Sequence, residues 1–287
     1  MRTIRLIREV STDMADNGPQ NGQAVLQAAL REYAPPWLVV GGELQLDDIP
    51  WYWCWRDATE ACECAAAGRP FVMGPNIFFH SADWPGRVPQ EQILLSASSC
   101  KLVFTESAWY AALIAKHLKS GVPVSIWPYP IAPQPEPQTN LEACDVDLMI
   151  YAKSGVDLRH LATLGRTWRN SRLIAYGHYQ RYELQMLARR SRCCLYVSAS
   201  DRGPLALAEI LLCGCPAAGI RQGAPWIEHG INGGMIPSWC CEDIAAGVSV
   251  ALGCDRVRVA EEAQVKFMPA NVVRQIVEQL ETYVQES

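Results

Sequence analysis

Between Cys194 and Ile220 a strand, a polar turn, a helix and a second strand follow one another without interruption, and this stretch constrains the fold more than any other. The run Cys194-Leu195-Tyr196-Val197 is aromatic and β-branched enough to form a buried strand. A polar loop from Ser198 to Gly203 follows, with Pro204 at the expected first helical position. Leu205, Leu207, Ala208, Leu211 and Leu212 then cover one broad helical face. Gly214 stops the helix, Pro216 prevents its continuation, and Ala217-Ala218-Gly219-Ile220 starts another strand. A helix fed by a parallel strand offers unpaired N–H groups and the positive end of its dipole, which together favour an anion. The small residues Gly203, Ala206 and Ala208 let a ligand approach the main chain. Glu209, one turn inside the helix, then reaches hydroxyls beyond a phosphate, as a sugar nucleotide would present them. The competing reading makes Glu209 a solvated helix residue, and spacing alone does not separate the two.

The rest of the chain alternates the same two elements. Thr3 to Ile7 reads as a first strand, Asp16 to Gly22 as a turn-rich loop, and Gln23 to Tyr33 as a helix. Trp37 to Gly41 is a second strand. The segment Trp51-Tyr52-Trp53-Cys54-Trp55 sets four aromatics in five positions, for core packing or for stacking against a sugar or base, with packing the preferred use. Glu60 to Gly68 reads as a helix. A strand from Arg69 ends at Gly74-Pro75, and Ser81, Asp83 and His80 follow at its carboxyl end, where open α/β sheets bind ligands. Cys100 to Thr105 is a strand, Ala108 to Lys119 a helix stopped by Gly121, and Val124 to Pro130 closes the first half. Ile131 to Asn140 is a linker by composition. The second half opens on a strand at Asp147 to Tyr151 and turns a strand-to-loop corner at Leu173 to Tyr179. Helices are expected at Tyr182 to Arg190, Pro237 to Gly253, Arg256 to Phe267 and Asn271 to Val284. Strands alternating with helices in both halves give an α/β fold with parallel sheets.

Composition removes other classes. At 287 residues, 49% hydrophobic and 19% charged, the chain suits one large or two modest globular domains. No run of eighteen apolar residues is present, and MRTIRLIREVSTD lacks the apolar stretch of a secretory signal. The twelve cysteines do not form the paired C-x2-C units of a zinc site, so they are expected to be reduced structural thiols in a cytoplasmic protein, and no metal is expected. A net charge of −5 argues against a surface that coats nucleic acid. Locally, however, eight arginines between Arg159 and Arg192 face one acid, Glu183, which reads as a solvated face or as a phosphate-facing patch, the former preferred.

Asp201 and Glu209 are separated by seven residues. The run S-A-S-D-R-G-P-L-A-L-A-E-I-L-L-C-G-C-P-A, followed by Gly223 to Glu228 and by His229-Gly230-Ile231-Asn232-Gly233, resembles the E-x7-E region of retaining GT-B glycosyltransferases, family 4 in particular. The register holds without a gap for about forty residues. The resemblance implies two Rossmann-like domains with parallel sheets facing a central cleft. An N-terminal acceptor domain at 1–132 would be reduced in size, 141–268 would take the donor, and a helix at 269–287 would cross back. It implies that Glu209 binds the nucleotide ribose, that Asp201 lies near the donor sugar hydroxyls, and that the amides of Leu205 and Ala206 face the diphosphate. Lys153 matches the lysine that neutralises the diphosphate, and His80 matches a histidine on the transferred sugar. Gly18 belongs to the loop after the first strand, and Gly177 to the corner that meets the nucleobase. Three departures stand out. Asp201 is one methylene shorter than the family's Glu, Arg202-Gly203-Pro204 replaces G-F-G, and Pro204 has no N–H to offer. The family's arginine is also not in its place, which leaves Arg202 or Arg221 to assist Lys153.

The reading that follows is a retaining glycosyltransferase, metal-independent and without a cofactor beyond its co-substrate, a nucleoside diphosphate sugar such as a UDP-sugar. The acceptor hydroxyl would belong to a small molecule, a glycan or a hydroxymethylated base in modified DNA, the last requiring a flipped base. A lipid acceptor and a membrane span are not indicated. The alternative is a GT-B remnant that binds the nucleotide sugar without transferring it. A sugar-nucleotide epimerase on the same fold finds no pair of acids placed for its chemistry.

Overall fold

The computed structural model describes residues 2–9, 18–54, 57–77, 97–117, 121–153, 168 and 170–285. The chain divides into two units, residues 1–130 with 269–287, and residues 131–268.

In the first unit the strands are β1 (Ile4–Leu6), β2 (Leu38–Val40), β3 (Ile49–Cys54), β4 (Phe71–Asn76), β5 (Cys100–Thr105) and β6 (Val124–Ile126). They form one parallel sheet in the order β2-β1-β3-β4-β5-β6. Helices α1 (Gly18–Tyr33), α2 (Ala58–Ala66) and α3 (Ala108–His117) connect them. A parallel sheet is covered on both faces, so its inner strands are apolar on both sides. This accounts for the crowded aromatics of β3: Trp51, Tyr52 and Trp53 are all buried, with Trp51 and Phe104 5.0 Å apart between ring centroids. The indole Nε1 of Trp51 donates to the Gly74 carbonyl at 2.7 Å, so the one polar atom of that ring is satisfied inside the core.

The second unit repeats the plan. Its strands β7 (Val146–Ala152), β8 (Ser171–Ala175), β9 (Ser191–Val197), β10 (Ala217–Gly219) and β11 (Gly233–Met235) are parallel, in the order β11-β10-β9-β7-β8. Around them lie α4 (Arg181–Arg190), α5 (Leu205–Leu212), α6 (Cys241–Leu252) and α7 (Arg256–Phe267). The helix α8 (Pro269–Gln285) belongs to the first unit, where it packs on α1. Counted from the first strand of each unit, the second sheet runs 2-1-3-4-5, the flavodoxin-like order, and the first runs 2-1-3-4-5-6, the same order with one strand more.

Several expected boundaries move. Helix α1 begins at Gly18, not Gln23, so the turn-forming composition of residues 18–22 is overridden by tertiary packing. Gly22 serves there as a contact residue, since a Cβ at that position would lie 2.7 Å from the Tyr129 ring. Strand β4 continues past Gly74-Pro75 to Asn76. Strand β9 begins at Ser191, directly where α4 ends, rather than at Cys194. Helix α6 begins at Cys241 instead of Pro237. The residues before it form its cap, with Ser238 Oγ donating to Asp243 Oδ2 at 2.6 Å and Cys240 Sγ accepting from the Asp243 amide at 3.4 Å. Pro204 is the N-cap of α5 rather than its first residue, with ψ at 84°.

Eleven cysteines have described side chains, none of these is in a disulfide, and seven are buried: Cys64, Cys100, Cys193, Cys194, Cys213, Cys215 and Cys254. Burial pushes the thiols of Cys100, Cys213 and Cys215 up to about 12, far from the reactive thiolate form at neutral pH. Cys240 and Cys241 are exposed. Brief alkylation of the native chain at neutral pH is therefore expected to label these two first and to spare the buried seven, as peptide mass spectrometry reads out. Among the described residues no helix is long and apolar enough to cross a membrane, and no group of three metal-binding side chains occurs.

Candidate functional site

The strand order of the second unit fixes where a ligand can enter. Strand β7 has β8 on one side and β9 on the other, so the chain leaves it in opposite directions and opens a crevice at the carboxyl ends. Ala152, the last residue of β7, pairs with Ala175 of β8 and Val197 of β9. The next residues on all three strands therefore meet at that edge. The Lys153 amide donates to the Val197 carbonyl at 2.9 Å, and the Tyr176 amide to the Ala152 carbonyl at 2.8 Å.

Lys153 and the loop after β9 form the first half of the site. Lys153 Nζ stands 2.5 Å from Asp201 Oδ2, which also accepts from the Tyr196 hydroxyl at 3.2 Å. Asp201 is 8% exposed, and a carboxylate so placed needs such partners. The ammonium of Lys153 also lies 5.4 Å from the centroid of the Tyr176 ring, within cation–π reach. The loop that carries Asp201 is held from the other side by its amide, which donates to the Gln222 carbonyl at 2.8 Å. Unit one closes its own switch point in the same way, with Arg8 Nε 2.7 Å from the buried Asp57 Oδ1.

The second half is the first turn of α5. Leu207 and Ala208 donate back to the Pro204 carbonyl at 2.9 and 3.2 Å, while the amides of Leu205 and Ala206 belong to the turn that has no intrahelical acceptor. Glu209 lies on the same helix and is 5% exposed, so it is not a solvated helix residue. Its Oε1 stands 2.6 Å from Nε of Arg181, the first residue of α4. The Arg181 Nε–H is not aligned for a hydrogen bond with it, so the contact is chiefly one of charge. Burial raises the Glu209 carboxyl above its usual range and Arg181 opposes that rise. The folded state consequently holds this proton more tightly than the unfolded chain, and the carboxyl costs stability as pH rises from its ordinary titration range through the raised one.

Tyrosines fill the space between these halves. Tyr151 and Tyr196 stack at 4.8 Å with an interplanar angle of 11°, and the hydroxyls of Tyr151 and Tyr179 are 3.2 Å apart. Burial raises all three phenols; the charge of Asp201 adds to the shifts of Tyr151 and Tyr196, and that of Glu209 to the shift of Tyr179. They stay protonated at neutral pH and serve as donors.

Of the other candidates, Arg202 is half-buried next to Asp201, Arg221 is exposed in the turn after β10, and Gly177 sits just past β8 with φ at 79°. Gly18 is the first residue of α1, in the other unit, and no longer lies in a loop. His80 lies outside the described residues, as do Ser81 and Asp83. The arginine-rich tract is neither a free phosphate-facing patch nor a uniformly solvated face where it is described. Arg190 pairs with Asp145, Arg192 Nη1 lies 3.9 Å from Asp147 Oδ1, and Arg181 holds Glu209. Asp145 and Asp147 thus take up arginines. Arg181 escaped notice because composition counts charges without saying which acid each one meets.

Asn232, inside the segment His229 to Gly233, has a structural role. Its Oδ1 accepts from the Glu228 amide at 2.8 Å and its Nδ2 donates to the Trp226 carbonyl at 3.2 Å, which locks the turn before β11.

No protein-family model matches the chain, and no characterised protein matches it by sequence. Solved structures do match by shape. The sucrose-phosphate synthase of Thermosynechococcus elongatus superposes with a TM-score of 0.66 at 11% identity, over 100% of both chains. The lipopolysaccharide outer core galactosyltransferase WaaB in its apo form gives a TM-score of 0.65 at 11% identity, over 98% of this chain and 99% of that one. HepE of Anabaena, in complex with UDP and glucose, gives 0.59 at 12% identity, over 98% and 100%. The likeness is one of fold. The two parallel-sheet α/β units are those of the GT-B class.

Proposed function

We propose that the chain is a glycosyltransferase that moves a sugar from a nucleoside diphosphate donor to an acceptor hydroxyl, with retention of the anomeric configuration. The observation that carries this reading is the meeting, at the switch point of the second unit, of Lys153 with Asp201 beside a helix whose first amides are unpaired and whose next turn presents Glu209. In this reading the diphosphate lies on the amides of Leu205 and Ala206, and Glu209 accepts from the ribose hydroxyls. Lys153 has three N–H donors, so it holds Asp201 with one and reaches the diphosphate with another. Asp201 accepts from the donor sugar, and Gly177 and Arg202 border the donor. As the bond from the anomeric carbon to the diphosphate breaks, negative charge gathers on the leaving group, and fixed amides with an ammonium stabilise it best at that moment. Neither a metal nor a further cofactor is invoked. A UDP-sugar is the first donor to try, since HepE carries UDP. The acceptor is a small molecule or a glycan, and modified DNA is the least favoured because a net charge of −5 gives a polyanion little general attraction.

The second reading, a remnant that binds a nucleotide sugar without transferring it, has one observation in its favour. Lys153 and Asp201, both needed for transfer, are closed on each other at 2.5 Å. Release of nucleoside diphosphate from UDP-, GDP-, ADP- and TDP-sugars decides between them, with Lys153→Met as control. Transferase action predicts release from one donor that falls at least tenfold in the variant. Binding without any release, with or without acceptor hydroxyls, leaves the remnant.

A further inference from the structure

Glu209 is a carboxylate on an otherwise apolar helix, Leu205 to Leu212, and it is buried among leucine and isoleucine neighbours. An isolated charge in such a place takes up a proton or turns toward water. Here a cation arrives from a different element. Arg181 opens α4, and the start of that helix is pinned by the Gln180 amide, which donates to Glu183 Oε2 at 2.7 Å. The guanidinium therefore leaves a fixed point of the backbone, with its side chain 33% exposed, and ends 2.6 Å from the Glu209 carboxylate. Arginine suits this better than lysine, because a guanidinium keeps its charge when partly desolvated, whereas a lysine ammonium gives up its proton readily there. The other titratable groups facing Glu209 are the Tyr179 phenol and the Cys213 thiol, both raised by burial and neutral at neutral pH. No second acid competes for Arg181 among the described residues.

Resting on the donor-site reading above, we infer that Arg181 is a positioning residue: the guanidinium charge set against Glu209 keeps that carboxylate ionised and in place, so that it accepts from the ribose hydroxyls of the donor. Its effect is transmitted through Glu209 and is confined to nucleotides that carry the full ribose diol. An ion pair that merely held α4 to α5 would weaken every nucleotide equally or none.

Calorimetric titration of the whole chain with UDP, GDP and ADP, each beside its deoxyribose counterpart, tests this on the wild type, Arg181→Gln, Arg181→Lys and Glu209→Gln. The wild type is expected to prefer one ribonucleotide over its deoxy form by about tenfold or more, the scale of a hydrogen bond to a charged group. Arg181→Gln is expected to bring that ratio close to one while leaving deoxynucleotide affinity within about threefold, as Glu209→Gln does. Arg181→Lys offers a charge that desolvation removes more readily and gives an intermediate ratio. An unchanged ratio in either Arg181 variant, with Glu209→Gln impaired, overturns the role of Arg181 and leaves the donor site standing. A wild type that binds no nucleotide, or binds both sugar forms alike, overturns the donor-site reading and the role of Arg181 with it.

Discussion

Glu209→Ala is expected to cut by half or more the thermal shift that the matching nucleoside diphosphate sugar gives the wild-type chain. A ligand held only by the folded state at a hundred times its dissociation constant adds about 2.7 kcal/mol, or on the order of 5–10 °C for a unit of this size. Glu209 is buried, and in the proposed site it is the charged acceptor of the ribose hydroxyls. Losing such bonds costs roughly 1.5–3 kcal/mol, a ten- to hundredfold loss of affinity. At the same ligand concentration the hundredfold loss leaves under about 0.5 kcal/mol of stabilisation, which is within the noise of a melting curve. The alanine variant also strands Arg181, so its ligand-free melting point falls. Glu209→Gln keeps the shape and separates the two effects. An undiminished shift in both variants would sink the assignment of the ribose to Glu209.

Gly223→Ala is expected to cost both stability and binding. A Cβ at that position would lie 1.8 Å from the Ser198 carbonyl oxygen and 2.7 Å from its carbon, and a backbone neighbour cannot rotate away. Overpacking of this kind costs about 1–3 kcal/mol, occasionally more. Ser198 begins the loop that carries Asp201, and the Asp201 amide is tied to Gln222, the residue before the glycine. Relief of the clash must therefore move the loop that aligns Asp201 with Lys153. Urea denaturation with and without the donor is expected to show a lowered midpoint and a reduced ligand-dependent increment. A variant with the wild-type midpoint would show that the two loops separate more easily than their contacts imply.

What could be read from the sequence follows how local the determining contacts are. The segment from Cys194 to Ile220 was legible because its strand, cap, apolar face and stop lie within one run, and the observed α5 and its flanking strands fall close to where that run puts them. The start of α1 was not, because the reason for Gly22 is the ring of Tyr129, a residue far along the chain. Cys240 shows the same limit at α6, where a thiol takes the capping position that hydroxyl and carboxylate side chains usually hold. At the site, the spacing of Asp201 and Glu209 brought both acids to view, yet their cations come from β7 and α4, and only the strand order brings them there. Sequence composition made Arg181 one of eight similar residues. Its partner makes it different.

The order in which the units are threaded bears on synthesis. The first unit is interrupted by the second, and its last helix, α8, follows everything else in the chain. The second unit is continuous, and its two ends meet where the Ile131 amide donates to the Phe267 carbonyl at 2.9 Å. As the chain leaves the ribosome, the second unit can complete its core while the first still lacks the helix that covers α1. The half that begins first is thus the half that finishes last, and until α8 emerges it lacks one of the elements packed on α1.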